Sequence, residues 1–130
     1  STLNLDSRLM EGIRDLGYTE TRPIQSAVIP LALAGDDLIA CAETGTGKTC
    51  AFVVPTLQVL MTTAPRAAAR AQEAAPAEPP PAAPPAAPAA RSRVLVLAPT
   101  RELAVQIEDE IHGLAYHTGV TSAAVYGGVE

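Results

Sequence analysis

The chain of 130 residues is long enough for one domain or part of one. Its 14 acidic and 9 basic residues give a formal charge of −5, which argues against a large basic footprint for nucleic acid, so any RNA contact must be local. The sequence has neither an apolar run long enough to span a membrane nor a signal-peptide pattern, and we therefore expect a soluble, cytoplasmic protein.

The cysteines and histidines give no sign of a metal site or a redox motif. Cys41 and Cys50 lack a C-x-x-C partner and a histidine at ligand spacing, so we interpret both as small buried hydrophobic residues. His112 and His117 are lone residues near the end of a predicted helix, where we expect an ordinary surface role.

The first predicted element is an amphipathic helix over residues 5–16. Asp6 is placed to cap its beginning, and Gly17 follows as a left-handed residue that ends it. The apolar face of this helix contains Leu9, Ile13 and Leu16.

The second predicted helix begins near Pro23, which suits a first helical turn, while Pro30 should kink or divide the helix. Its apolar side is expected to contain Ile24, Val28 and Leu31. Gln25 lies on the first turn, and its amide offers the acceptor and donors that complement an adenine edge. By periodicity alone, however, Gln25 would be a solvated polar residue.

The next stretch is typical of a phosphate-binding loop. Residues 38–41 form an apolar run short enough for one buried strand, and the apolar run after the loop has helical spacing. Gly45 and Gly47 allow backbone N–H groups to curl round an anion, and a helix beginning near Lys48 directs its unpaired N–H groups to the same place. The loop residues are Ala42, Glu43, Thr44, Gly45, Thr46, Gly47, Lys48 and Thr49.

Two side chains of this loop carry its expected chemistry. Lys48 would contact the β- and γ-phosphates, and the Thr49 hydroxyl would ligate a magnesium ion that bridges them. The strict pattern has glycine where this chain has Ala42, although the remaining residues supply the turn, the charge and the metal ligand. The alternative is a turn of small residues with an incidental lysine.

The helix after the loop is apolar nearly all round, so we expect it to be buried against a sheet, and Pro55 should bend it or remove a hydrogen bond. Residues 64–92 form an Ala/Pro-rich insertion; positions 64–90 contain 14 alanines and 8 prolines. We interpret the insertion as a disordered spacer, and the alternative is a proline-rich ligand for a partner domain. Its arginines could add weak attraction to RNA.

The last third of the chain repeats the alternation of strand and helix. Residues 93–98 are a continuous apolar run that predicts a parallel strand covered on both faces, and residues 121–126 predict a third strand. Between them, Thr100 can cap a helix that runs from Arg101 to about His117. Its buried stripe should contain Leu103, Ile107, Ile111 and Leu114.

Alternating strands and helices predict an α/β architecture with a parallel sheet, flanking helices and right-handed crossovers. Without the insertion, only about a hundred foldable residues and three strands remain, a small core for such a sheet. We therefore expect residues 1–130 to be an incomplete domain.

Three motifs occur in one order along the chain. They are Gly17-Tyr18 followed by Ile24-Gln25, the loop of residues 42–49, and residues 99–104. Together with Gly127-Gly128 they resemble the first RecA-like domain of DEAD-box ATP-dependent RNA helicases, which are P-loop NTPases. Each motif alone is moderately specific, whereas the ordered set is highly specific, and it covers the chain except for the insertion.

The resemblance implies a role for each motif. It assigns adenine recognition to Gln25, phosphate and Mg²⁺ binding to residues 42–49, and the catalytic contacts to Lys48 and Thr49. Contact with the RNA backbone would come from Pro99, Thr100, Arg101, Glu102, Gly127 and Gly128. Without the other motifs, residues 99–103 would be interpreted as a strand-to-helix turn with a capping threonine.

The chain also departs from the family pattern. Thr21 and Arg22 replace a proline and a small hydroxyl residue, and the 130 residues contain no Asp-Glu-Ala-Asp or Ser-Ala-Thr motif and no second RecA-like domain with its arginine finger. We therefore expect an ATP-dependent RNA helicase as the parent protein and negligible turnover by this segment alone. Another P-loop enzyme such as a kinase, or a non-catalytic nucleotide-binding module, remains as an alternative.

Overall fold

The computed structural model describes residues 3–73 and 91–128, with the side chains of 64–73 left aside. The described residues form four helices: α1 (Ser7–Asp15), α2 (Pro23–Ala34), α3 (Lys48–Glu73) and α4 (Arg101–Ala115). None of these helices combines the length and the apolar character needed to cross a membrane.

The three predicted strands are not formed within the described residues. Residues 38–41, 93–98 and 121–126 are irregular, and no two of these segments exchange backbone hydrogen bonds. A parallel strand requires a paired backbone at its side and apolar cover on both faces, and these segments have neither. Their side chains lie open to solvent instead: Ile39 is 99% exposed and Leu95 is 81% exposed.

Helix α3 is the centre of the fold, because α1, α2 and α4 all pack against it. Among the described residues the elements that pack against it are helices, and the expected sheet beside it stays a prediction. The buried cluster consists of Leu9, Ile29, Cys50, Val53, Val54, Leu57, Met61, Leu114 and Ala115. Leu9 and Leu114 are fully buried, and each such side chain contributes about 1.5–3 kcal/mol by leaving water.

The ends of α1 and α4 follow the sequence prediction. The Asp6 carboxylate accepts a hydrogen bond from the Arg8 backbone N–H at 3.0 Å, and the Thr100 hydroxyl accepts one from the Leu103 N–H at 3.2 Å. Hydrogen bonds from Arg8 also lower the pKa of Asp6. Gly17 has a φ of 74°, as expected for the residue that ends α1.

Both proline-containing helices are continuous: Pro30 does not divide α2, and α3 continues through Pro55. A kink at Pro30 and a bend or a lost hydrogen bond at Pro55 stay predictions. The buried residues of α2 are Gln25 and Ile29, whereas Leu31, placed on the apolar side by periodicity, is exposed. The pattern failed because α2 is apolar nearly all round, so its packing against α3 selects the buried face.

The cysteine prediction is right for one residue and wrong for the other. Cys50 is buried on α3, whereas Cys41 is exposed. Helix α3 also continues through residues 64–73, which the sequence assigns to the insertion. Residues 74–90 of the insertion lie outside the described residues, where the disordered spacer stays a prediction.

Helix α1 lies directly against the end of α4. A Cβ on Gly12 would stand 2.4 Å from the Leu114 carbonyl oxygen, so only glycine permits this approach. Tyr18 donates a hydrogen bond to Glu110 at 2.8 Å, and His117 Nε2 lies 2.7 Å from an Asp15 carboxylate oxygen. His117 thus has a surface role, as predicted.

Candidate nucleotide-binding site

The predicted phosphate loop lies immediately before α3. The first hydrogen bond of that helix runs from the Ala51 N–H to the Gly47 carbonyl at 3.1 Å. The N–H groups of the preceding turn have no acceptor within the helix, and the positive end of the helix dipole lies at the same point. The loop therefore ends at a helix terminus that favours an anion.

Gln25 joins α2 to this loop. Its Nε2 donates a hydrogen bond to the Gly47 carbonyl at 3.2 Å, and its Oε1 accepts one from the Arg22 backbone N–H at 2.9 Å. Only 8% of Gln25 is exposed, so the interpretation as a solvated residue is wrong. Gly47 has a φ of 86°, and a Cβ there would stand 2.5 Å from Gln25 Nε2. Glycine at this position is what allows the two elements to meet.

The amide of Gln25 keeps hydrogen-bonding capacity beyond these two contacts. A primary amide has two N–H donors and two acceptor lone pairs, and the observed bonds use one of each. The remaining donor and acceptor are the pair that an adenine edge can engage. In the structure Gln25 thus holds the loop with one donor and one acceptor, and the other donor and acceptor take no part in these two contacts.

The two cationic side chains at the loop are bound to its own carbonyls. Lys48 Nζ donates a hydrogen bond to the Ala42 carbonyl, and Arg22 Nη1 donates one to the Gly45 carbonyl. The Thr46 hydroxyl donates to the Glu43 carbonyl at 2.7 Å and closes the turn. In this structure both cations therefore bind neutral carbonyl oxygens of the loop.

The remaining loop residues have simpler surroundings. Glu43 and Thr44 are exposed on the loop, and Thr49 is half-buried on the first turn of α3. Across residues 3–73 and 91–128, no group of three His, Cys, Asp or Glu side chains could hold a metal ion. A magnesium ion at this site would therefore depend on the Thr49 hydroxyl, phosphate oxygens and water.

The predicted RNA-contacting motifs form a second cluster. Arg101 Nη2 donates a hydrogen bond to the Gly127 carbonyl at 2.7 Å, and its guanidinium lies 5.4 Å from the centre of the Tyr126 ring. Gly128 has a φ of 84°, and a Cβ there would stand 2.7 Å from Arg101 Nη2. The structure thus brings together two motifs that are far apart in sequence, while Pro99 and Glu102 stay exposed beside them.

Sequence reasoning missed the contacts of two residues in these clusters. The sequence shows Arg22 only as a departure from the family pattern, and that departure is the available signal, because it puts a cation three residues before Gln25, whereas the structure adds its contact with Gly45. The pattern predicts Tyr126 in a strand, and its position beside the Gly127-Gly128 pair is the available signal for its contact with Arg101.

A glycine loop that leads into a helix, with Lys48 and Thr49 on its first turn, defines the class of P-loop nucleotide-binding proteins. The model of the DEAD/DEAH box helicase family matches residues 22–130. The chain therefore belongs to the DEAD/DEAH box helicase family.

Relatives and solved structures agree with this assignment. The chain is 41% identical over 129 residues to the ATP-dependent RNA helicase SrmB of Escherichia coli (strain K12), and the match covers 99% of this chain and 24% of that protein. It is 42% identical over 127 residues to DEAD-box ATP-dependent RNA helicase 28 of Arabidopsis thaliana, and that match covers 98% of this chain and 13% of the relative. The chain thus spans less than a quarter of the length of both curated relatives.

The fold resembles the crystal structure of the RNA-helicase Prp28 from Chaetomium thermophilum bound to ADP. The TM-score is 0.70 and the identity 35%, and the likeness covers 100% of this chain and 27% of that one. It confirms the predicted RecA-like fold class, although the sheet is not formed within the described residues.

Proposed function

We propose that the chain is the ATP- and RNA-binding part of an ATP-dependent RNA helicase whose full-length protein hydrolyses ATP to remodel RNA. The observation that supports the proposal is the hydrogen bond from Gln25 Nε2 to the Gly47 carbonyl, because it joins the side chain proposed to read the base to the loop proposed to bind phosphate. The names of the relatives and the ADP bound to the Prp28 structure support the same ligand class.

Different residues of the proposed site bind the base, the phosphates and the metal ion of the nucleotide. The free donor and acceptor of Gln25 read the adenine edge, while the backbone N–H groups of residues 42–49 and the N-terminus of α3 bind the phosphates. Lys48 binds the β- and γ-phosphates, and the Thr49 hydroxyl is a ligand for Mg²⁺. When bound, Mg²⁺ neutralises the charge that develops on the phosphates.

Turnover needs groups that these 130 residues do not contain. The sequence has no Asp-Glu-Ala-Asp motif to hold the metal from its second side and to orient a water molecule, and no second RecA-like domain to supply an arginine finger. Such a finger alone is worth about 10³–10⁵ in rate in related NTPases. We therefore expect weak nucleotide binding and negligible hydrolysis from this chain by itself.

The RNA contacts would be local. The N-terminus of α4, capped by Thr100, offers N–H groups to a backbone phosphate, and Arg101 is held beside it by the Gly127 carbonyl. Pro99, Glu102 and Gly128 complete this contact surface. The net charge of −5 agrees with contacts made by a helix terminus and a few side chains rather than by a basic face. Cytoplasmic localisation and a partner for the insertion stay predictions.

A titration of the 130-residue chain tests the nucleotide site. Backbone amide signals near Lys48 should shift with ADP·Mg²⁺ and ATP·Mg²⁺, and GTP·Mg²⁺ should bind more weakly because its base presents a different edge to Gln25. Lys48→Ala should weaken ATP·Mg²⁺ binding at least about tenfold, since charge-assisted bonds to phosphate are among the strongest polar contacts.

Gln25→Ala should reduce the preference for ATP over GTP, whereas Gln106→Ala, the same substitution at an exposed position of α4, should leave it unchanged. Equal binding of GTP and ATP by the unmodified chain would contradict the proposed role of Gln25. Absence of any shift near Lys48 would contradict the proposal as a whole.

A further inference from the structure

Arg22 lies over the phosphate loop, although it belongs to the segment that leads into α2. Its Nη1 donates a hydrogen bond to the Gly45 carbonyl, and its Cδ lies 3.2 Å from the position that a Cβ on Gly47 would take. Its backbone N–H is held by Gln25 Oε1 at 2.9 Å. The backbone N–H, the Cδ and the guanidinium of Arg22 thus each have a neighbour on Gln25 or on the loop.

We propose that Arg22 is a phosphate-binding residue of the nucleotide site, an inference that rests on the proposed function of the loop. In this structure its guanidinium binds the Gly45 carbonyl. With ADP or ATP bound, the guanidinium donates to a phosphate oxygen, and the Gly45 carbonyl, which lies on an exposed residue, is hydrated instead.

The exchange is favourable because the two acceptors differ in charge. The guanidinium is charged in both contacts, but a phosphate oxygen carries negative charge and a carbonyl oxygen does not, so Coulombic attraction favours the phosphate. A guanidinium also matches the oxygens of a phosphate in two-point geometry. The carbonyl that is released returns to water at little cost because Gly45 is exposed.

The charge of the loop gives Arg22 a distinct role. Residues 42–49 contain one ammonium group, on Lys48, and one carboxylate, on Glu43, so their side-chain charges cancel. Arg22 gives the site a net positive side-chain charge. A polyphosphate dianion or trianion is held more tightly by such a site than by a neutral one.

The test compares Arg22→Ala with Arg14→Ala, which removes the same charge from an exposed residue on α1, away from the loop. Both variants and the unmodified chain are titrated with ADP·Mg²⁺ and with inorganic pyrophosphate, and helix content is checked by circular dichroism. Arg22→Ala should weaken both ligands about tenfold, which corresponds to about 1.4 kcal/mol. Arg14→Ala should leave both affinities unchanged. Arg22→Lys keeps the positive charge but lacks the two-point geometry of a guanidinium, so its affinities should lie between those of the unmodified chain and Arg22→Ala.

The outcomes separate this inference from the function on which it rests. If Arg22→Ala binds ADP·Mg²⁺ and pyrophosphate as tightly as Arg14→Ala, or more tightly, Arg22 only holds the loop, and the inference is wrong while the nucleotide site stands. If Arg22→Ala weakens ADP·Mg²⁺ and leaves pyrophosphate unchanged, Arg22 acts on the base through Gln25, and the inference is again wrong. If the unmodified chain binds neither ligand, the proposed function fails and the inference fails with it.

Discussion

The contact between Gly47 and Gln25 can be measured by comparing two glycine-to-alanine variants of one loop. Gly45 and Gly47 both have left-handed backbones, with φ of 80° and 86°. They differ in surroundings, because a Cβ on Gly47 would stand 2.5 Å from Gln25 Nε2, whereas a Cβ on Gly45 would have no neighbour within 4 Å. Gly45→Ala is therefore a matched control for the backbone cost of Gly47→Ala.

Both variants should lose about 1–2 kcal/mol of unfolding free energy, because an L-residue is strained in the left-handed region. In Gly47→Ala the Gln25 amide must also move away, which breaks its bond to the Gly47 carbonyl. Loss of a bond made by a buried polar group costs about 1–3 kcal/mol. Gly47→Ala should therefore be less stable than Gly45→Ala by about 1–3 kcal/mol.

Urea unfolding followed by circular dichroism measures this difference in unfolding free energy. A double-mutant cycle with Gln25→Ala then tests whether the difference arises from the contact with Gln25. In a Gln25→Ala background the 2.5 Å clash and the hydrogen bond are both absent, and the contact of the new Cβ with the flexible Arg22 side chain at 3.2 Å remains, so most of the difference between Gly45→Ala and Gly47→Ala should disappear. Equal losses in the unmodified background, or a difference of the same size without the Gln25 side chain, would refute the role given to this contact.

Three further predictions concern the helical core. In the folded chain a thiol reagent at pH 8 should label Cys41 and spare Cys50, which is buried and whose pKa burial raises to about 11; labelling of both at equal rates would contradict the fold. Burial and a hydrogen bond to a carboxylate raise the pKa of Tyr18 to about 12 from an ordinary 10.0, so its contribution to stability is complete below pH 10 and is lost as the pH rises towards 12. Between pH 10 and pH 12, the melting temperature of Tyr18→Phe should therefore fall less than that of the unmodified chain. Leu9→Ala, at a fully buried position, should cost about 2–5 kcal/mol, against about 0.5 or less for Leu31→Ala at an exposed one.

The sequence predicts well those features that are decided within a few residues. Asp6 and Thr100 cap their helices because a short oxygen-bearing side chain reaches an N–H two or three positions ahead wherever the helix packs. Gly17 ends α1 for an equally local reason. The phosphate loop belongs to this class too, since its glycines, lysine and threonine are consecutive.

Features that depend on distant parts of the chain were harder to predict. Gln25 is buried because α2 turns that face to α3, and no periodicity in an evenly apolar helix fixes that rotation. Cys41 is exposed, on a segment whose backbone pairs with no second strand among the described residues. The contact of Arg22 with Gly45 joins residues on two elements that are far apart in sequence. The local pattern therefore shows the positive charge of Arg22 but not the carbonyl to which it binds.

The irregular apolar segments have a consequence for how the isolated chain behaves. Ile39, Leu95, Leu97 and Val125 are largely exposed, on stretches whose backbone groups have no strand beside them. Such stretches are templates for intermolecular pairing, and a net charge of −5 spread over the rest of the chain gives them little protection. We therefore expect the isolated chain to self-associate increasingly as its concentration rises. This self-association sets the highest protein concentration at which solution experiments can be carried out.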